Sequence, residues 1–323
     1  MGGLHNTLLL LHPVARIEWT QWSIHWSTVA GIVALGALYF WRANTGCRVA
    51  EGGGAENISQ PGAHNAPSED VFRASPFREA AAPRGWQKLS FCAGLFVIFA
   101  TLNGPIHDLS DYYLFSAHMV QHLLLTLLLP PLLIAGTPGW MLRPLLRNPI
   151  IAAIAKFVTK PLMCFTIFNL ILAFWHIPIF YNAAMDNHNI HILEHLMFMA
   201  GAVLMWWPFL SPLPELPRLA YPGQMLYCFL TTIPMSVIAV YISMAEQVLY
   251  PAYAVAPRLL TISPMADQQI GGLIMWIPGS IVFYAIMTVV FFKWAARGED
   301  STAGAQVDWP TRQSPPTHRA AHP

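Results

Sequence analysis

Long apolar runs alternate with short polar breaks along the chain, and the run lengths give the first reading. About twenty consecutive apolar residues let a helix cross the hydrocarbon of a bilayer. Seven stretches approach or reach that length: Trp22–Trp41, Leu89–Gly104, Tyr112–Ala135, Pro161–Ile179, Ile190–Leu210, Gly223–Met244 and Gln269–Trp294. The second is short and ends in Asn103-Gly104-Pro105, a break that blurs its boundary. The pattern predicts an all-α polytopic membrane helix bundle of about seven transmembrane helices. Residues 1–21 read as an interfacial segment, since Leu8–Leu11 is followed by His12, Pro13 and Arg16 rather than a cleavage site. The first span occupies 22–41, a flexible loop 42–88, a six-helix core 89–297 and a disordered tail 298–323. No internal repeat is visible.

Composition strengthens this picture. The chain is 55% hydrophobic and 10% charged, against about 25% charged residues in soluble domains. Too few charges remain to solvate a globular surface, so lipid is the expected neighbour. A net charge of +1 and the lack of a basic block exclude nucleic acid as a partner class.

Charge placement sets the orientation, because Lys and Arg are retained on the cytoplasmic side. With the N-terminus outside and the C-terminus inside, fifteen of the seventeen basic residues fall on inner segments, and only Arg16 and Arg258 fall outside. The histidines sort the other way. Ten of thirteen lie at or near the outer face, and only His64, His318 and His322 lie inside. Cys47, Cys92, Cys164 and Cys228 fall on the inner side, without any CxxC pair, and read as small core residues.

Two histidine pairs stand out. His118 and His122 open the third span, and His191 and His195 open the fifth. Four residues turn about 400° around a helix, so each pair shares one face within about 40°. Both helices descend from the outer surface, so four imidazoles can converge at one depth. His176, ended by Pro178, belongs to the same layer, and His107-Asp108 lies above it. His25 and His188 read as interfacial side chains. Ionisable groups inside lipid are costly and usually functional, so a metal or heme role is expected for the paired histidines. Glu194 is a possible ligand, a hydrogen-bond acceptor for one, or a proton carrier. Met265, Asp267 and Met275 in the last span offer a thioether and polar surround. Imidazole alone suits zinc, copper, iron or nickel.

His118-Met119-Val120-Gln121-His122 is followed by Pro130-Pro131 to Gly136-Thr137-Pro138, and then by Trp175-His176-Ile177-Pro178. His191 to His195, Trp206-Trp207-Pro208 and Asp267-Gln268-Gln269 through Met275-Trp276 complete the set. Together, over about residues 90–295, these blocks resemble the hallmark of CtaG-type cytochrome c oxidase assembly proteins. The resemblance implies a bacterial plasma-membrane factor for maturing the heme–copper oxidase. It implies copper as the metal, the oxidase catalytic subunit as recipient and a periplasmic protein as copper donor, with no enzymatic step. Copper captured by His107, Asp108 or nearby methionines would be held by His118, His122, His191 and His195, with His176 close by. Three other readings fit parts of the pattern: a b-type cytochrome, a copper transporter, and a zinc peptidase using the His191-x-x-Glu194-His195 motif.

Overall fold

A computed structural model of the chain describes residues 23–55 and 82–303. The expected N-terminal segment, the loop from 56 to 81 and the tail from 304 lie outside the described residues. Regular structure among the described residues is entirely helical. In chain order the helices are α1 (Trp26–Ala55), α2 (Gly85–Thr101) and α3 (Gly104–Tyr112). Then α4 (Phe115–Leu123) runs through a π turn (Leu124–Leu128) into α5 (Leu129–Gly136). After α6 (Gly139–Leu142) and a 3-10 turn (Arg143–Arg147) come α7 (Pro149–Val158), α8 (Pro161–His176) and α9 (Pro178–Asp186). The chain continues with α10 (His188–Leu210), α11 (Tyr221–Ser243), α12 (Pro251–Ala254) and α13 (Pro264–Ala303).

Four segments are long and apolar enough to cross a membrane: Phe115–Gly136, His188–Leu210, Tyr221–Ser243 and Pro264–Arg297. The number reaches six when each of two bent pairs forms one span, α2 with α3 at 48° and α7 with α8 at 75°. Each of the six overlaps an expected stretch. α1 covers most of the seventh but does not join these six. It also continues to Ala55, where a loop was expected from Arg42 onward. No proline interrupts it, Arg42, Ala43, Arg48 and Ala50 favour helix, and Arg42 Nη2 donates to the Met141 carbonyl at 3.1 Å. For the same reason α13 runs past residue 297, since no proline follows until Pro310.

The helices are apolar outward. α11 exposes Leu226, Phe229, Leu230, Ile233, Val237 and Tyr241, and α13 exposes Ile270, Leu273, Ile277 and Ile281. These positions recur at three and four residues and form stripes facing out of the bundle. The histidines and several carboxylates lie inside instead. A surface of this kind is matched to hydrocarbon rather than water.

The α4–α5 span is the hub. It packs against α2, α10 and α13; α13 packs on α11, α11 on α8, and α8 on α10, which closes a ring of five spans. α1 lies outside that ring, on α2. Gly271 and Gly272 allow the tight approach of α13. A Cβ on Gly271 would come 2.4 Å from the Phe115 ring, and one on Gly272 would come 3.0 Å from the Ala239 carbonyl.

Two local breaks shape the hub. Pro130 has no N–H for the Thr126 carbonyl, so the helix loosens into the π turn. Trp206 Nε1 of α10 donates to that freed carbonyl at 2.8 Å, which ties α10 to the hub. Gly104 has φ 67°, a left-handed conformation that glycine adopts without strain. There the chain bends from α2 into α3 and carries α3 across the end of α4.

Candidate metal centre

The end of the bundle where α3, α4, α8 and α10 meet holds a dense group of imidazoles. On α4, His118 and His122 have ring centroids 4.3 Å apart, and on α10, His191 and His195 are 4.4 Å apart. Across the two helices His118 lies 5.7 Å from His191 and 6.1 Å from His195, and His122 lies 5.5 Å from His195. His176, at the end of α8, stands 6.3 Å from His122. The structure thus brings together the four histidines singled out from spacing and His176, expected in the same layer. One ligand atom from each of His118, His122 and His195 lies within 4.8 Å of the others.

Polar contacts orient several of these rings. The Leu172 carbonyl accepts from His176 Nδ1 at 2.7 Å, so the lone pair of that ring sits on Nε2. His191 Nδ1 lies 3.3 Å from Asp111 Oδ2, and with that contact donated, its Nε2 also carries the lone pair. His107 stands between Gln121 Nε2, 3.1 Å from its Nδ1, and Asp111 Oδ2, 3.3 Å from its Nε2. The Gln121 amide also donates to the Thr101 carbonyl at 2.6 Å. Carboxylate and carbonyl partners of this kind orient imidazoles that ligate metals.

The inward-facing atoms have no such partners. Among the described residues, both nitrogens of His118 and of His122, Nε2 of His176, His191 and His195, and both Glu194 oxygens are buried without a hydrogen bond. His118 and Glu194 are 0% and 1% exposed, and Glu194 Oε1 approaches His122 Nε2 only to 3.8 Å. An unsatisfied buried polar atom costs about 1–3 kcal/mol. A cationic metal would meet several of these lone pairs at once, so the residues fit such a group. Beneath the cluster, a cavity of about 30 Å³ opens inside the five-span ring. His122 and His176 share its wall with Met119, Met235 and Met275.

Other expected residues lie elsewhere. Asp108 accepts a hydrogen bond from Ser23 Oγ at 2.7 Å and anchors the segment before α1. Asp267 is 0% exposed and caps α4, accepting from the backbone N–H of Phe115 (2.7 Å) and of Ser116 (3.2 Å) and from Ser116 Oγ (2.5 Å). Met265 is half-buried at the start of α13. Cys164 and Cys228 are buried as expected, but Cys92 is exposed on α2.

Spacing alone missed Asp111, Gln121 and an aromatic roof. Asp111 stands four residues after His107 on α3, a signal of the same kind as the histidine pairs. In the roof, the Tyr181 ring meets that of His118 edge to face at 5.3 Å, and its hydroxyl lies 2.9 Å from that of Tyr253. Tyr253 donates to the Ser110 carbonyl at 2.7 Å, and Tyr250 to the His176 carbonyl at 3.0 Å. Burial raises the Tyr253 phenol well above its ordinary value, so it stays protonated and able to donate.

No curated protein and no solved structure matches the chain. A family model, described as cytochrome c oxidase caa3 assembly factor, matches residues 71–297. That match takes in the whole imidazole cluster, the ring of spans and the cavity below them, and the chain belongs to the cytochrome c oxidase caa3 assembly factor family.

Proposed function

We propose that the chain takes up copper at the imidazole cluster and passes it to the catalytic subunit of the oxidase. One observation carries this reading: three buried imidazoles, His118, His122 and His195, place ligand atoms within 4.8 Å of one another, with nitrogens that no described residue satisfies. His176 offers Nε2 from the side. Copper(I) accepts few ligands and favours imidazole and thioether donors, and the neighbouring cavity supplies Met119, Met235 and Met275. Zinc draws no such benefit from methionine. Imidazoles 4.3–6.3 Å apart leave no gap for a porphyrin between them, which favours an ion over heme.

The copper is cargo. His118, His122 and His195 bind it, Glu194 beside them balances its charge, and the Leu172 carbonyl holds His176 in the tautomer that presents a lone pair. No residue is asked to act on a covalent bond, so the role is not enzymatic. In the bacterial plasma membrane, with α1 as a seventh span and the N-terminus outside, the cluster faces the periplasm, where a donor protein can deliver copper.

The test is made in cells that lack the protein and are supplied with the parent or with His118→Ala/His195→Ala. The oxidase is purified and its copper, heme and activity are measured. A variant that reaches the membrane at parental level yet yields heme-containing, copper-poor, inactive oxidase supports the reading. Normal copper in the oxidase contradicts it.

A further inference from the structure

Two groups of potential ligands share a single imidazole. His118 belongs to the group with His122 and His195 and also to one with Asp111 and His191, again with ligand atoms within 4.8 Å. Both His118 nitrogens are buried and without a hydrogen-bond partner among the described residues. The second group lies toward the exposed side of the cluster. Asp111 contacts His107, whose ring meets His25 at 4.4 Å, and His25 stacks at 5.8 Å on the exposed His188. Hydrogen bonds fix this arrangement, since Asn103 Oδ1 accepts from His25 N at 2.8 Å, beside the Ser23–Asp108 contact. Imidazoles therefore lead from the surface to Asp111, and the inner group continues into the methionine-lined cavity.

We infer that Asp111, His118 and His191 form a second, outer copper station that loads the inner one through the shared His118. This rests on the copper reading above. A neutral imidazole has one lone pair, so His118 holds one ion at a time and the stations fill in sequence. The ion remains copper(I) and no electron moves. Its bonds to Asp111 and His191 break as bonds to His122 and His195 form, while the bond to His118 persists. The Asp111 carboxylate then takes back the contacts from His107 and His191, and no proton is gained or lost. Direction follows from donor chemistry: an oxygen donor suits copper(I) poorly, whereas imidazole with thioether nearby suits it well. The outer station captures and releases, and the inner one retains.

The full chain in detergent is mixed with the copper(I) complex of a coloured chelator, and absorbance gives both loading rate and endpoint. The parent is expected to take up one ion. Asp111→Asn and His191→Gln are each expected to reach the same endpoint about tenfold more slowly, with helical circular dichroism unchanged. Parental loading rates in both variants overturn the relay and leave the copper site standing. So do two ions bound by the parent at once, or loss of the endpoint in the variants, which would make Asp111 and His191 parts of a single site. A parent that takes up no copper overturns the copper reading and the relay together.

Discussion

His176 shows how one backbone contact turns a side chain into a prospective ligand. With Nδ1 donating to the Leu172 carbonyl, Nε2 is left as a buried acceptor beside His122. His176→Ala is expected to weaken copper binding about tenfold, measured by competition with a chelator, while folding is retained. Unchanged affinity would place His176 outside the coordination sphere. Tyr253 acts on the same region from above. Tyr253→Phe removes the bond to the Ser110 carbonyl and should lower stability by about 1 kcal/mol, read as a drop in thermal midpoint; an unchanged midpoint would show that water replaces the hydroxyl. At this scale the sequence disclosed the imidazoles and hid their partners. Two histidine pairs at four-residue spacing announce a shared face wherever the helix lies. Asp111 needs the bend at Gly104 before it can reach His191. Asp108, closer to His107 in sequence, points to Ser23 instead, and Asp267, conspicuous in its motif, is used as a cap for α4.

The elements follow their breaks. Prolines at 130 and 131 loosen the hub helix, and Trp206 takes the freed Thr126 carbonyl. Trp206→Phe keeps the packing but strands that carbonyl, so a loss of about 1–3 kcal/mol is expected, seen in detergent denaturation. A change near zero would mean the π turn satisfies itself. Gly104→Val forces a β-branched residue into positive φ. It is expected to shift α3, raising the copper dissociation constant more than it lowers the thermal midpoint; equal copper affinity would separate the bend from the site. Run lengths alone located six candidate spans. They could not show that α7 turns by 75° into α8 or that α2 bends by 48° into α3, because an apolar run has the same composition whether straight or bent.

Over the whole molecule, polarity is inverted: apolar stripes face outward and a polar cluster is held within a ring of spans. That inversion was visible in composition, but the ring was not. Closure depends on close approach at Gly271 and Gly272, and on pairings between helices far apart in sequence. The basic residues set the orientation expected for this bundle. Single cysteines placed at Asn187 and at Arg147, in a chain freed of its own cysteines, should react with an impermeant maleimide from outside the cell at 187 only. Labelling at 147 alone would reverse the topology and turn the cluster away from any periplasmic donor. The central claim, that these imidazoles hold copper, is tested most directly by metal analysis of the purified chain after incubation with copper(I), with a visible spectrum taken alongside. The parent should retain copper without a Soret band, and both His118→Ala/His122→Ala and His191→Ala/His195→Ala should lose it. Equal copper in all three proteins, or none in the parent, would contradict a copper site at this cluster.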